Sequence, residues 1–179
     1  MMRKYILAAL PALALTVPAM AQDSTGTVAI DGSVASRCLF TTPNETISLG
    51  EMALPGSDTN AGRLDSSTVD GRTATLVGWC NNAAAGMTVE AFALTNTANA
   101  ASGFTNRVDY TATAEANSAS GNDTSLVDGA GATVSVGMFT GDVVVTLSDS
   151  SAPSNNLLVA GNYNGQVEVT LTPIFLPEG

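Results

Sequence analysis

Side chains able to do covalent or acid–base chemistry are scarce in this sequence. Its 179 residues include no histidine, and the one lysine, Lys4, falls in an apolar leader. Ser–His and Cys–His nucleophile pairs are therefore ruled out, and beyond the leader so is a Ser–Lys pair. Sixteen acidic residues remain. Two of them could in principle serve glycoside hydrolysis. Most, however, lie in Gly/Ser/Asn-rich stretches, where carboxylates bond nearby backbone amides. No glycine-rich phosphate loop sits between a strand and a helix. The reading is of a protein that is not an enzyme and has no cofactor.

The best metal candidate is "DTNAGRLD", in which Asp58, Asn60 and Asp65 offer oxygen ligands of the kind calcium takes. It lacks the acidic spacing of an EF-hand and carries Arg63 in its middle, so an ordinary turn is the expectation and no metal is assigned. Past the leader, four arginines stand against all sixteen acids. Such a charge repels phosphate backbones and excludes nucleic acid as a partner.

Cys38 and Cys80 are the only cysteines. "MMRKYILAALPALALTVPAMA" has a basic start, an apolar run from Tyr5 to Val17 and a small-x-small site at Ala19–Met20–Ala21, the three parts of a secretory signal. The expected organisation is a signal peptide at residues 1–21, an N-terminal extension at 22–36 and one domain at 37–179, with no stable membrane insertion after cleavage. In an oxidising compartment Cys38 and Cys80 are expected to bond. Closing the loop between them is worth about 4 kcal/mol in the chain-entropy model.

The elements that must carry these residues are strands. Beyond the leader apolar residues recur at spacing two, and no helical period is visible. Strands are expected near Thr27–Ser36, Glu45–Leu49, Thr73–Cys80, Met87–Thr95, Arg107–Ala114, Ala132–Phe139, Asp142–Ser148 and Gly165–Phe175. Turn-rich stretches separate them, and Glu115–Gly131 reads as a long loop. Many short strands so spaced predict an all-β sandwich. Trp79, beside Cys80, is expected to pack in the core against the disulfide.

The first expected strand, "GTVAIDGSV", alternates Val28, Ile30 and Val34 with Gly32 where an apolar residue should fall. That stretch resembles the N-terminal extension of chaperone–usher pilus subunits of the type 1 group and of the related spore coat protein U domain. "SRCLFTTPNETISLGEM" is similar to their first-cysteine segment, "ATLVGWCNN" to the strand with the partner cysteine, and "AGNYNGQVEVTLTPIF" to their last strand. The order of these pieces spans nearly the whole chain after the leader. One departure is at the C-terminus, where "TPIFLPEG" with Phe175 replaces a penultimate tyrosine.

The resemblance implies an immunoglobulin-like Greek-key sandwich lacking its final strand. It implies assembly by donor-strand exchange into a bacterial surface fibre or coat, reached through the periplasm. A periplasmic chaperone, an outer-membrane usher and neighbouring subunits would be the partners. Val28, Ile30, Gly32 and Val34 would form the donor strand, and Val167, Val169 and Leu171 would belong to the acceptor groove. The alternative stays open at this point. Thr27–Ser36 could be the first strand of a self-complete secreted sandwich that binds a ligand, such as carbohydrate, through polar loops.

Overall fold

The computed structural model describes residues 23–174. The proposed signal peptide and Phe175 lie outside the described residues. The chain divides between Ser33 and Val34 into two units. In the first, the described residues form no strand.

The second unit is an all-β sandwich. Its strands are β1 (Cys38–Thr42), β2 (Thr73–Cys80), β3 (Gly86–Thr95), β4 (Phe104–Thr105), β5 (Arg107–Ala116), β6 (Ala119–Thr124), β7 (Val134–Ser135), β8 (Phe139–Ser151), β9 (Leu157–Leu158) and β10 (Asn164–Thr172). The main path runs β1-β2-β8-β5-β3-β10, with β6 beside β5 and β7 beside β3. Every pairing on it is antiparallel, while β4 and β9 form a small parallel pair. The four strands β1-β2-β8-β5 and the pair β3-β10 follow the strand order of an immunoglobulin sandwich without its last strand. Curling this path brings its two end strands, β1 and β10, toward each other. Among the described residues nothing pairs with β1 beyond β2, or with β10 beyond β3.

Period-two alternation builds the core. On β8, Val143, Val145 and Leu147 are buried; on β5, Val108, Tyr110, Ala112 and Ala114; on β3, Met87, Val89 and Ala91. The core is aliphatic and small, with Tyr110 the only aromatic side chain among the buried described residues. Cys38 and Cys80 are bonded, as expected from the sequence, and they face each other across β1 and β2.

Several expectations need correction. Thr27–Ser36 forms no strand, and Val28, Ile30 and Val34 leave 84%, 91% and 88% of their surface exposed. Alternation in a sequence marks a segment able to be a strand; a strand also needs a paired neighbour. Glu45–Leu49 likewise forms no strand. Of Ala132–Phe139, Val134–Ser135 pairs as β7 and Phe139 opens β8, with a left-handed turn at Gly137 (φ 64°) between them. Trp79 is half-buried on the outer face, opposite Leu39. With Cys80 pointing inward, period two requires its neighbour to point outward.

The largest correction is Glu115–Gly131, which is not one long loop. β5 turns at Asn117–Ser118, both at positive φ, and returns as β6. Along the returning arm and just past its end, Gly121, Asp123 and Ser125 point inward, and all are buried. No apolar pattern announces such a strand, because polar side chains hold it. An Asp123 carboxylate oxygen accepts from Ala91 N at 2.8 Å. Ser125 Oγ accepts from Tyr110 N at 3.0 Å and donates to Asp109 at 3.2 Å. Arg107 closes the cluster, 2.7 Å from Asp109 and donating to Ser125 O at 2.6 Å. The bond to Asp109 raises the guanidinium pKa further.

Candidate functional site

The site is the seam between the two end strands. One lip is β1 and the segment after it, which present Phe40, Ile47 and Leu49; the other is β10, which presents Val167 and Val169. Between them lies a cavity of about 620 Å³, floored by Leu76, Val145 and Leu147 of the main sheet. The lips meet at one end. There a Cβ added to Gly78 would lie 3.0 Å from Phe40 Cδ1 and 3.2 Å from Leu171 Cδ1, so the close approach depends on glycine. At the other end, Tyr110 Oη sits 2.8 Å from Phe92 O and 2.9 Å from Gln166 O, joining β3 to β10 where their register shifts. Burial pushes the Tyr110 phenol up to about 12.

Register explains why β10 is unusual. Val167, Val169 and Leu171 stand directly opposite Ala91, Val89 and Met87 on β3. Those three β3 residues expose 6%, 0% and 0% of their surface, whereas their partners on β10 are only half-buried. Inward alternation is the same on both strands. β10 simply has no neighbour on its far side.

Of the three expected groove residues, Val167 and Val169 line the cavity, and Leu171 packs at the closed end. The opposite lip, Phe40, Ile47 and Leu49, was not anticipated as part of the groove. Its signal is the alternation of "ETISL", which predicts a strand at Glu45–Leu49 but not what that row faces. Val28, Ile30, Gly32 and Val34 lie before β1 and are exposed, and a Cβ added at Gly32 meets nothing within 4 Å.

The chain enters β1 under restraint. Asn81 and Asn82, which follow β2 directly, grip the three residues before Cys38. Arg37 N donates to Asn81 Oδ1 at 2.7 Å, Asn81 N to Arg37 O at 3.0 Å, and Asn81 Nδ2 to Ala35 O at 3.0 Å. Asn82 Nδ2 donates to Ser36 Oγ at 2.8 Å. Residues 35–37 thus prolong the β1–β2 pairing outward.

The calcium candidates serve their own turns. Asp58 Oδ1 accepts from the amides of Asn60 and Ala61, and Asp65 Oδ1 caps the short 3-10 turn Ser66–Thr68 by accepting from Ser67 N and Oγ. Among the described residues no group of three or more acids or cysteines is placed to hold a metal. None of the described helices is long and apolar enough to cross a membrane. The seam is a trough of mixed polar and apolar lining between two strands that have no further partner among the described residues. Compared with protein-family models, curated proteins and solved structures, the chain matches none of them.

Proposed function

We propose that this chain is a secreted structural subunit of a bacterial surface fibre or coat whose copies join by donating a strand. The N-terminal segment of one subunit, with Val28, Ile30 and Val34 inward, completes the seam of the next. The supporting observation is β10, whose inward residues are half-buried opposite buried partners and whose far edge is unpaired. An added strand would supply the missing backbone partners, and its alternate side chains would fill the cavity. An exposed edge of this kind is an aggregation hazard, so a periplasmic chaperone and an outer-membrane usher fit the reading as partners before assembly.

Gly32 provides the test. In the free subunit a side chain there meets no obstacle within 4 Å, so Gly32→Leu should leave the melting temperature of the subunit, or of its chaperone complex, unchanged. In a neighbour's seam the same side chain would press on the trough, and assembly should fail. A Gly32→Leu protein that assembles as the wild type does, or one that loses its fold, would refute strand donation.

A further inference from the structure

The seam and the donor segment belong to one chain, so a subunit could in principle fill its own groove. We infer that Asn81 and Asn82 prevent this, and so commit the N-terminal segment to the seam of a second copy of this chain. The inference rests on the strand-donation reading above and adds to it a pair of positioning residues.

Two orientations of self-insertion must be considered. The closed end of the seam, where Phe40 and Leu171 meet over Gly78, lies near the start of β1; the open end lies near Gly165 and Gln166. A segment antiparallel to β10 would have Val34 at the open end, roughly 17–20 Å from the start of β1, at about 3.3 Å per residue. The link from Val34 to Cys38 spans at most about 14 Å when fully extended. That orientation is out of reach.

A segment parallel to β10 would have to reverse direction immediately before β1. Only Ala35, Ser36 and Arg37 are available to make that turn. All three are held in line with β1 by the four hydrogen bonds from Asn81 and Asn82. Self-insertion in this sense requires breaking the clasp, whereas insertion into a second copy leaves it intact. The asparagines therefore act on where the strand goes and not on how well it fits.

The test uses the full secreted chain in three forms: wild type, Asn81→Ala/Asn82→Ala, and a variant with about six glycine and serine residues inserted between Val34 and Ala35. The insertion adds about 20 Å of reach and leaves both asparagines untouched, so it tests reach alone; the single variant Asn81→Ala, which removes the bonds to Arg37 N and Ala35 O, tests the clasp if the double alanine variant fails to fold. Species are separated by size, and amide exchange across Thr27–Val34 is measured in each. In the wild type this segment should be protected in multimers alone. In both variants a monomer with a protected segment should appear, its share in the double alanine variant raised about tenfold, as expected for losing side-chain hydrogen bonds of ordinary strength. If the variants partition as the wild type does while the segment is protected in their multimers, the clasp has no such role and strand donation still stands. If the segment is unprotected in every species, strand donation itself fails and the inference falls with it.

Discussion

The two edges of β3 carry the same kind of backbone and meet very different fates. On one side every stretch is answered. Leu94 and Thr95 pair with β5, Ala91 N donates to Asp123, Val89 O accepts from Gly131 N, and Gly86 and Met87 pair with β7. On the other side β3 has a full-length partner in β10, but the layer stops there. The closed side is assembled from two short strand pairings, a loop amide and a buried carboxylate. The open side has a regular strand of nine residues and still leaves its apolar row half-covered. Regular pairing along one edge does not complete a sandwich. Completion depends on whether each outermost strand has a neighbour, or a set of side chains acting as one.

The comparison can be broken in several ways, beginning with the largest effect. The disulfide ties β1, one lip of the open seam, to β2 across a sequence separation of 42. Replacing both cysteines by serine should cost about 4 kcal/mol in urea unfolding. Amide exchange should then speed up in β1 well before β3 or β5. Uniform loss of protection would show that the seam is not the weaker half.

Next comes the polar latch on the closed side. Asp123→Ala leaves the buried Ala91 amide without an acceptor and should cost about 1–3 kcal/mol. Asp123→Asn, which retains an acceptor oxygen, should cost less. Fast exchange at Ala91 in the alanine variant is the local readout.

Val89 and Val169 offer a matched pair, since they face each other in register and differ mainly in burial. In the free subunit Val89→Ala should cost about 2 kcal/mol and Val169→Ala about 1 kcal/mol or less. In assembled material the Val169 penalty should rise toward that of Val89, because the donated strand would bury it. Equal penalties in the free subunit would mean the seam is already filled.

The smallest effect is at high pH. The Tyr110 phenol is held at about 12 against an ordinary 10.0, so the folded chain keeps its proton where the unfolded chain loses it. Stability from this group is fully present below pH 10 and is lost as pH rises from there to about 12. Burial also raises the Tyr163 phenol, so the test is differential. Tyr110→Phe should show a shallower loss of urea midpoint across this window than the wild type does. Identical slopes would remove Tyr110 from the account.

Much of the fold could be read from residue order. β2, β3, β5, β8 and β10 all follow from apolar alternation, each within a few residues of the expected bounds, because each has a buried face made of Val, Leu, Met or Ala. The strand β6 could not be read in this way. Its inward residues are Gly121 and Asp123, with Ser125 just beyond its end, and only the arrival of Ala91 N from β3 and of Tyr110 N and Asp109 from β5 makes burying the polar ones favourable. For the seam, Val167 and Val169 were readable as an inward row, but Phe40, Ile47 and Leu49 were not readable as the opposite lip. Nothing local records that β1 and β10 are brought to face each other.

The sequence alone determined the all-β class, the disulfide partners and the side on which most residues fall. These depend on local composition, on period two and on a cysteine count that allows one pairing. Only the tertiary structure decided which alternating rows would be covered. Val89 and Val169 have the same side chain and the same inward aspect. One is enclosed because a further layer of chain passes beyond it, and the other is half-open because the sheet ends there. Burial is a property of neighbours brought together from distant positions, and a residue's own sequence surroundings carry no record of them.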